Sequence, residues 1–370
     1  MPSASCQFVV EPNAAPAGIE ERHRLMSIPE FGVVFTDHMV AIRFSIENGW
    51  HDARLAPYAP LSLDPASAIF HYGQEVFEGT KAYRTPEGGI VLFRPDCNAR
   101  RFNASAERMG MPAMPENLFI EALERLVSAD AAWVPEAEGA SLYLRPFMIA
   151  LDKSLSVRPS RDYLFVVIAS PVRAYFAVPP VPLKIWITDE FTRAAPGGTG
   201  FAKCGGNYAA SMKAQAEAAA NNCDQVLFLD AVNRSWIEEL GLMNIFFVLD
   251  GMKLITPPLN GAILPGVTRD SIIHLAVDLG FSVEERLYAF SELRDDALCG
   301  RLKESFVCGT GAIVAEVGQF QTRHETFTLA DRPDGDTAAQ ILRKALVSIQ
   351  RCETPDTRDW IRRVSTRGFG

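Results

Sequence analysis

The 370-residue sequence has no apolar run near the roughly 20 residues that a membrane-crossing helix needs; stretches such as Ile245 to Leu249 are far shorter. Its N-terminus lacks the basic-then-apolar pattern of a secretory signal, so a cytoplasmic location is expected. Basic clusters are missing as well. A net charge of −9 and a pI near 5.3 disfavour a nucleic-acid partner, which needs concentrated Lys and Arg. The seven cysteines (Cys6, Cys97, Cys204, Cys223, Cys299, Cys308 and Cys352) form no CxxC pair and have no histidine at ligand spacing. They read as reduced thiols, with neither a metal site nor a disulfide framework expected. Absent too are GxGxxG, which disfavours a dinucleotide fold, and GxxxxGK[ST], which disfavours a nucleoside triphosphatase. What is present, 48% hydrophobic residues and a mean hydropathy near zero, suits a globular chain long enough for two domains.

Residues 1–30 show no sustained periodicity and are expected to form an extended arm. Over 31–175, strand-like runs (Met39 to Phe44, Gly89 to Phe93, Ser141 to Ile149, Tyr163 to Ser170) alternate with helical ones (Cys97 to Met109, Glu116 to Ala132), which predicts a small mixed α/β domain. Residues 176–182 contain three prolines and are the expected interdomain linker. A larger domain, 183–370, follows. In it Leu183 to Thr188 and Gln225 to Leu229 read as strands and Asn207 to Asn221 as an Ala-rich helix. Ile245 to Leu249 and Lys253 to Ile255 flank the hairpin signal Asp250-Gly251.

Three local features carry possible chemistry. Lys203 lies between glycines in GGTGFAKCGGNY, where backbone can approach a bound group and a desolvated amine suits Schiff-base formation. A solvated loop lysine is the plainer alternative on spacing alone. The run Leu264 to Arg269 leads into a helix with Ile272, Ile273, Ala276 and Leu279 on one face and Gly280 at its end. Its first N–H groups, at Val267 and Thr268, could receive a phosphate, or Thr268 could simply cap the helix. Glu238 and Glu239 stand at the edge of an apolar segment, where a buried carboxylate needs a cationic or protonated partner and a solvated one needs none. Cys308 to Ala312 is a further glycine-rich turn with hydroxyl and N–H donors.

In their order and spacing, FGVVFTDHM, HYGQEVFEGTKAY, LFRPDCNARRF, SLYLRPF, PVRAYF, KCGGNYAAS, EELGLMN, TPPLNGAILPGVTRDS and CGTGAI resemble the branched-chain amino acid aminotransferases of the fold-type IV pyridoxal-phosphate class. The resemblance covers nearly the whole chain. It implies an α/β fold of α+β type, with a small N-terminal and a larger C-terminal mixed domain and pyridoxal 5′-phosphate at their interface. It implies transamination of branched-chain L-amino acids with 2-oxoglutarate. By matching position, Lys203 carries the cofactor and shuttles the proton, Glu239 faces the pyridine nitrogen and Tyr208 faces O3′. Arg101, Val267, Thr268 and Thr310 hold the phosphate. The turn through Gly311 and Ala312 meets the substrate carboxylate, Tyr72, Tyr143 and Arg145 share that side, and Phe31, Phe77 and Tyr175 line an apolar pocket. Leu155 and Val157 match a loop that reaches a neighbouring subunit's pocket, which implies a homodimer.

Some positions depart from the family pattern. Leu242 stands where Gly or Thr is usual beside the substrate, Gly311 replaces an Ala and Arg173 a Gly. Ala312 and Ala315 occupy the positions of a thiol pair found in some members, which removes that redox switch. An altered pocket leaves room for a specialised enzyme that works with an isomerase partner to make allo-isoleucine. A D-amino acid aminotransferase or aminodeoxychorismate lyase of the same fold is disfavoured by the long N-terminal region and Arg145. A non-catalytic binding subunit is disfavoured by the retention of Lys203, Glu239, Tyr208 and Arg101.

Overall fold

In a computed structural model that describes residues 7–27, 31–173, 181–250, 252–329 and 335–365, the chain divides into two compact units. The first comprises Met1–Tyr175, Ala202–Gly205 and Ile349–Gly370, and the second Phe176–Phe201 and Gly206–Ser348. Neither is continuous in sequence. The tetrapeptide holding Lys203 belongs to the first unit although its flanks belong to the second, and residues 349–370 belong to the first although the sequence reading placed them with 183–370.

Strands of the first unit are β1 (Val9–Val10), β2 (His38–Ser45), β3 (Gly49–Pro57), β4 (Glu75–Phe77), β5 (Thr80–Arg84), β6 (Ile90–Phe93), β7 (Ser141–Ala150) and β8 (Asp162–Val172), joined by a C-terminal strand, Ile361–Val364. They form one nine-stranded sheet in the order β1-β3-β2-β8-β7-β5-β6 and then the C-terminal strand, with β4 paired to β7. Helices α1 (Ile19–Ser27), α2 (Ala68–Tyr72), α3 (Pro95–Arg108) and α4 (Glu116–Ala129) accompany it. Helix α4 buries Leu118, Phe119, Ala122, Leu123, Leu126 and Val127, an apolar stripe at helical spacing. That stripe and Ala99, Phe102 and Ala106 of α3 share a core with Val40, Ile42, Leu144, Phe165 and Val167 of the sheet. Beside the apolar stripe of α3, the same periodicity brings Asn98, Arg101 and Ser105 to one buried flank. The expected arm is more structured than an extended segment: Phe8 is buried, Val9–Val10 pairs in parallel with β3, and Ile19–Ser27 is helical.

The second unit carries β9 (Leu183–Thr188), β10 (Gln225–Leu229), β11 (Ile237–Leu240), β12 (Asn244–Leu249), β13 (Lys253–Thr256), β14 (Ser282–Glu285), β15 (Leu302–Gly309), β16 (Ile313–Gln321) and β17 (Thr326–Thr328). Their order is β11-β10-β9-β16-β15-β12-β13-β14, with β17 on β16. Helices are α5 (Gly205–Ala220), α6 (Val267–Asp278), α7 (Phe290–Leu298) and α8 (Ala338–Gln350). All six residues of β12 are buried, as a strand covered on both faces requires. The hairpin expected after it is present, with Leu249 paired to Lys253, although Gly251 itself lies outside the described residues. So do Tyr175 and residues 176–180 of the expected linker.

Candidate active site

In the first unit, Lys203 is fixed by its backbone at both ends. Its N–H donates to Ser105 Oγ at 2.9 Å and its carbonyl accepts the Phe77 N–H at 3.0 Å. Just beyond, the Gly205 N–H donates to Glu75 Oε1. The side chain therefore leaves a fixed main chain, and its Nζ lies 4.7 Å from the centre of the Phe77 ring. Alternation along β4 puts Glu75 and Phe77 on one face, and alternation along β7 does the same for Tyr143 and Arg145. Arg145 stacks over Phe77 at 4.9 Å and donates from Nη2 to the Tyr143 hydroxyl at 3.0 Å, while Phe31 meets Tyr143 edge to face at 4.9 Å. The Nε of Arg145 is buried without a hydrogen-bond partner. Burial pushes the Glu75 carboxyl above its ordinary range, against the pull of the Gly205 N–H, Arg145 and Lys203. A Cβ at position 79 would come within 2.1 Å of the Tyr143 hydroxyl, so glycine there is what leaves the Tyr143 side chain in this position.

Arg101 is buried on α3 and makes a two-pronged ion pair with Glu78: Nε to Oε1 at 2.7 Å and Nη2 to Oε2 at 2.8 Å. Asn98 Nδ2 and the Gly79 N–H also donate to Glu78 Oε2, at 2.8 and 3.1 Å. Burial alone would push the Glu78 carboxyl up, but Arg101, Lys203 and Asn98 together hold it below its ordinary range. Ser105 closes the cluster, since its hydroxyl also donates to the Arg101 carbonyl at 2.9 Å. Elsewhere in the unit, the Tyr72 hydroxyl donates to the Leu155 carbonyl, and Leu155 and Val157 are 67% and 84% exposed.

In the second unit the two adjacent carboxylates part company, because alternation along β11 sends them to opposite faces. Glu239 is buried: it accepts from the Leu264 N–H at 2.7 Å and from Asn244 Nδ2 at 3.0 Å, and Arg193 Nη1 makes an ion pair with it at 3.0 Å. Arg193 also donates to the carbonyls of Gly200 and Ala262 at 3.1 and 2.9 Å. A Cβ on Gly200 would lie 2.4 Å from that Ala262 oxygen, so glycine here permits backbone-to-backbone packing of the lysine loop's first half. Glu238 has Asn260 Nδ2 at 3.3 Å, one carboxylate oxygen without a partner, and a carboxyl pushed upward by burial.

Helix α6 begins at Val267 with Gly266 as its cap residue and no side-chain cap, so the Thr268 hydroxyl does not cap it. The turn of Thr310, Gly311 and Ala312 joins β15 to β16, and Ile313 beyond it adopts φ of 63°. A β-branched residue in the left-handed region is strained by roughly 1–3 kcal/mol, a cost that neighbouring packing must offset. A Cβ at Gly309 would meet Met243 at 3.4 Å and the Leu242 carbonyl at 3.7 Å, so the turn carrying Leu242 lies beside this one. Tyr208 is half-buried on the first turns of α5. Cys308 is fully buried with its thiol pushed up to about 12, an inert packing residue.

Residues 75–320 match the family model described as amino-transferase class IV. The chain is 47% identical, over 99% of its length and 100% of the relative's, to a branched-chain-amino-acid aminotransferase of Mycolicibacterium smegmatis. The chain belongs to this family. It is also 50% identical, over 95% of its length and 97% of the relative's, to a probable branched-chain-amino-acid aminotransferase of Streptomyces coelicolor. Among solved structures, the branched-chain amino acid aminotransferase of Escherichia coli is similar with a TM-score of 0.71 and 26% identity, covering 89% of this chain and 99% of that one. The pyridoxal-phosphate form of a Thermobaculum terrenum relative gives a TM-score of 0.69 at 25% identity, covering 89% and 98%. The expected α/β class IV aminotransferase fold is thereby established.

For a class IV aminotransferase, several residues of this chain were not singled out by motif reading. They are Glu78, Ser105, Arg193 and Asn244, which hold Arg101, Lys203 and Glu239, together with Asn98, which holds Glu78, and Glu75, which holds the Gly205 N–H. The available signal was chemical: Glu75 and Glu78 bracket the apolar Val76 and Phe77, and a charge in such a strand needs a partner. The partner's identity depends on tertiary pairing.

Proposed function

We propose that the protein transfers amino groups between branched-chain L-amino acids (isoleucine, leucine, valine) and 2-oxoglutarate, using pyridoxal 5′-phosphate carried on Lys203. The observation that supports it most is the first-unit cluster: an amine on a rigidly held backbone, packed on the same Phe77 ring as Arg145, whose buried Nε lacks a partner. A partnerless buried guanidinium N–H is costly unless an acceptor arrives, and a substrate carboxylate is such an acceptor. Glu239, with donors from the Leu264 N–H and Asn244 and the cation of Arg193 beside it, also suits the cofactor, because a carboxylate can accept the N–H of a pyridinium ring.

When bound, the cofactor supplies an electrophilic carbon for the amine and a ring that accepts electron density as the substrate loses its Cα proton. The protein's part is placement and proton handling. Lys203 would hold the cofactor through its amine and, with the amine free, would move the proton between Cα and C4′. Glu239 keeps the ring nitrogen protonated and Tyr208 donates to O3′. Arg101, the N–H groups of Val267 and Thr268, and Thr310 bind phosphate. Arg145, Tyr143 and Tyr72 orient a carboxylate; the turn of Gly311 and Ala312 receives the other. Phe31, Phe77 and Leu242 border the aliphatic chain. The exposure of Leu155 and Val157 supports a homodimer in which that loop serves the neighbouring subunit.

Lys203→Ala is expected to abolish both the protein-bound cofactor absorbance and turnover of isoleucine with 2-oxoglutarate. Normal turnover by that variant would overturn the proposal.

A further inference from the structure

We infer that Glu78 is a positioning residue for the cofactor phosphate, acting through Arg101 by setting the plane of its guanidinium group. This rests on the proposed role of Arg101 as a phosphate ligand. A guanidinium on a flexible stem can present its donors in many directions, and a carboxylate that takes the Nε and Nη2 edge together leaves one orientation. Here that edge is engaged at 2.7 and 2.8 Å by a carboxylate with no exposed side-chain surface.

Glu78 is held in turn, so the orientation is inherited from the fold. Asn98 and the Gly79 N–H fix Oε2, and the Glu78 N–H donates to the Pro146 carbonyl at 2.7 Å. Asn98 and Arg101 sit one helical turn apart on α3, and the next turn on the same flank supplies Ser105, which holds the Lys203 N–H. One helix face therefore fixes both the backbone of the covalent attachment point and, through Glu78, the direction of the phosphate-facing arginine. Exclusion of water keeps the pair strong and makes its geometry matter. Neutral charge at 78 would remove the constraint and place an amide donor against guanidinium donors.

The test separates phosphate binding from attachment to Lys203. The full-length protein and its Arg101→Gln, Glu78→Gln and Asn98→Ala variants are titrated with pyridoxal 5′-phosphate and, separately, with pyridoxal, and the ratio of the two dissociation constants is compared. Glu78→Gln should reduce the preference for the phosphorylated form by on the order of tenfold, as loss of charge-assisted geometry implies, with pyridoxal affinity unchanged. Asn98→Ala should reduce it by a smaller factor. A Glu78→Gln ratio equal to or above that of the wild type, while Arg101→Gln loses its preference, would overturn the inference and leave the arginine's role standing. An unchanged ratio in Arg101→Gln would instead overturn the phosphate reading itself. Should Glu78→Gln fail to fold, Asn98→Ala decides: an unchanged ratio there also overturns the inference.

Discussion

Each unit buries one glutamate against one arginine, and the two pairs are built for opposite purposes. In the first unit Glu78 takes the Nε–Nη2 edge of Arg101 with both its oxygens, so the acid fixes the base. In the second, Arg193 Nη1 pairs with Glu239 at 3.0 Å, and that nitrogen donates to the carbonyls of Gly200 and Ala262. There the base is fixed by the backbone and holds the acid. Burial of a salt bridge says little about net stability, because desolvation offsets much of the attraction. What burial does deliver is a defined direction for whichever partner faces the chemistry.

Removing the holder in the second unit should have the largest effect. Arg193→Met leaves Glu239 as a buried carboxylate without its counter-charge, and loss of one member of a buried pair costs about 3–5 kcal/mol. Chemical denaturation should show a fall of that size, along with weakened cofactor retention. Glu239→Gln is the sharper complement. It should keep the fold and the cofactor while turnover falls on the order of a hundredfold or more, since an amide would lack the charge that the proposed role of Glu239 needs. Equal turnover in Glu239→Gln would mean that the second unit's pair is structural.

Much of this asymmetry was hidden in the sequence, and the reason is separation along the chain. Apolar runs marked Leu183–Thr188 and Gln225–Leu229 to the residue, because a covered strand needs continuous apolar side chains. Ordered motifs marked Lys203, Arg101 and Glu239. Their holders are set by contacts between distant segments: Glu78 and Arg101 are 23 positions apart, and Ser105 and Lys203 are 98. No local periodicity encodes such pairs. The same limit applies to the C-terminal strand, whose pairing of Val364 with Ile90 places it in the first unit's sheet.

Leu242 sharpens the second unit's side of the contrast, since it lies two residues before Asn244, a donor to Glu239. At 49% exposure it is an unusually open leucine on a turn beside Gly309. Where an isobutyl group narrows a pocket and cannot yield, crowding costs roughly 1–3 kcal/mol, about a tenfold to hundredfold change in specificity. Leu242→Gly should therefore raise kcat/KM for phenylalanine relative to valine and isoleucine. An unchanged rank order across valine, isoleucine, allo-isoleucine, leucine and phenylalanine would show that this side chain does not border the substrate.

A third pair, in the first unit, tests what a permanently charged arginine contributes by using a cation that titrates. His38 Nδ1 meets Asp130 Oδ1 at 2.6 Å, and the His38 N–H donates to Asp130 Oδ2 at 3.1 Å. The hydrogen bond that His38 makes to Asp130 raises the His38 pKa above its ordinary value, partly offset by burial and reinforced by the charges of Asp130 and Asp37. A raised folded-state pKa means that the imidazolium is favoured by folding. Its stabilisation is complete below the unfolded value of about 6.5 and is lost as pH rises through the folded one. Discounted for solvent screening, it should amount to about 1 kcal/mol. Replacing His38 by Ala should thus lower the Tm more at about pH 6 than at about pH 9, whereas the Glu78–Arg101 pair, with its depressed carboxyl, should show its loss only on the acid side as Glu78 protonates. A His38→Ala deficit that is the same at both pH values would mean that the ring packs against Asp130 as a neutral hydrogen-bond donor and contributes no charge.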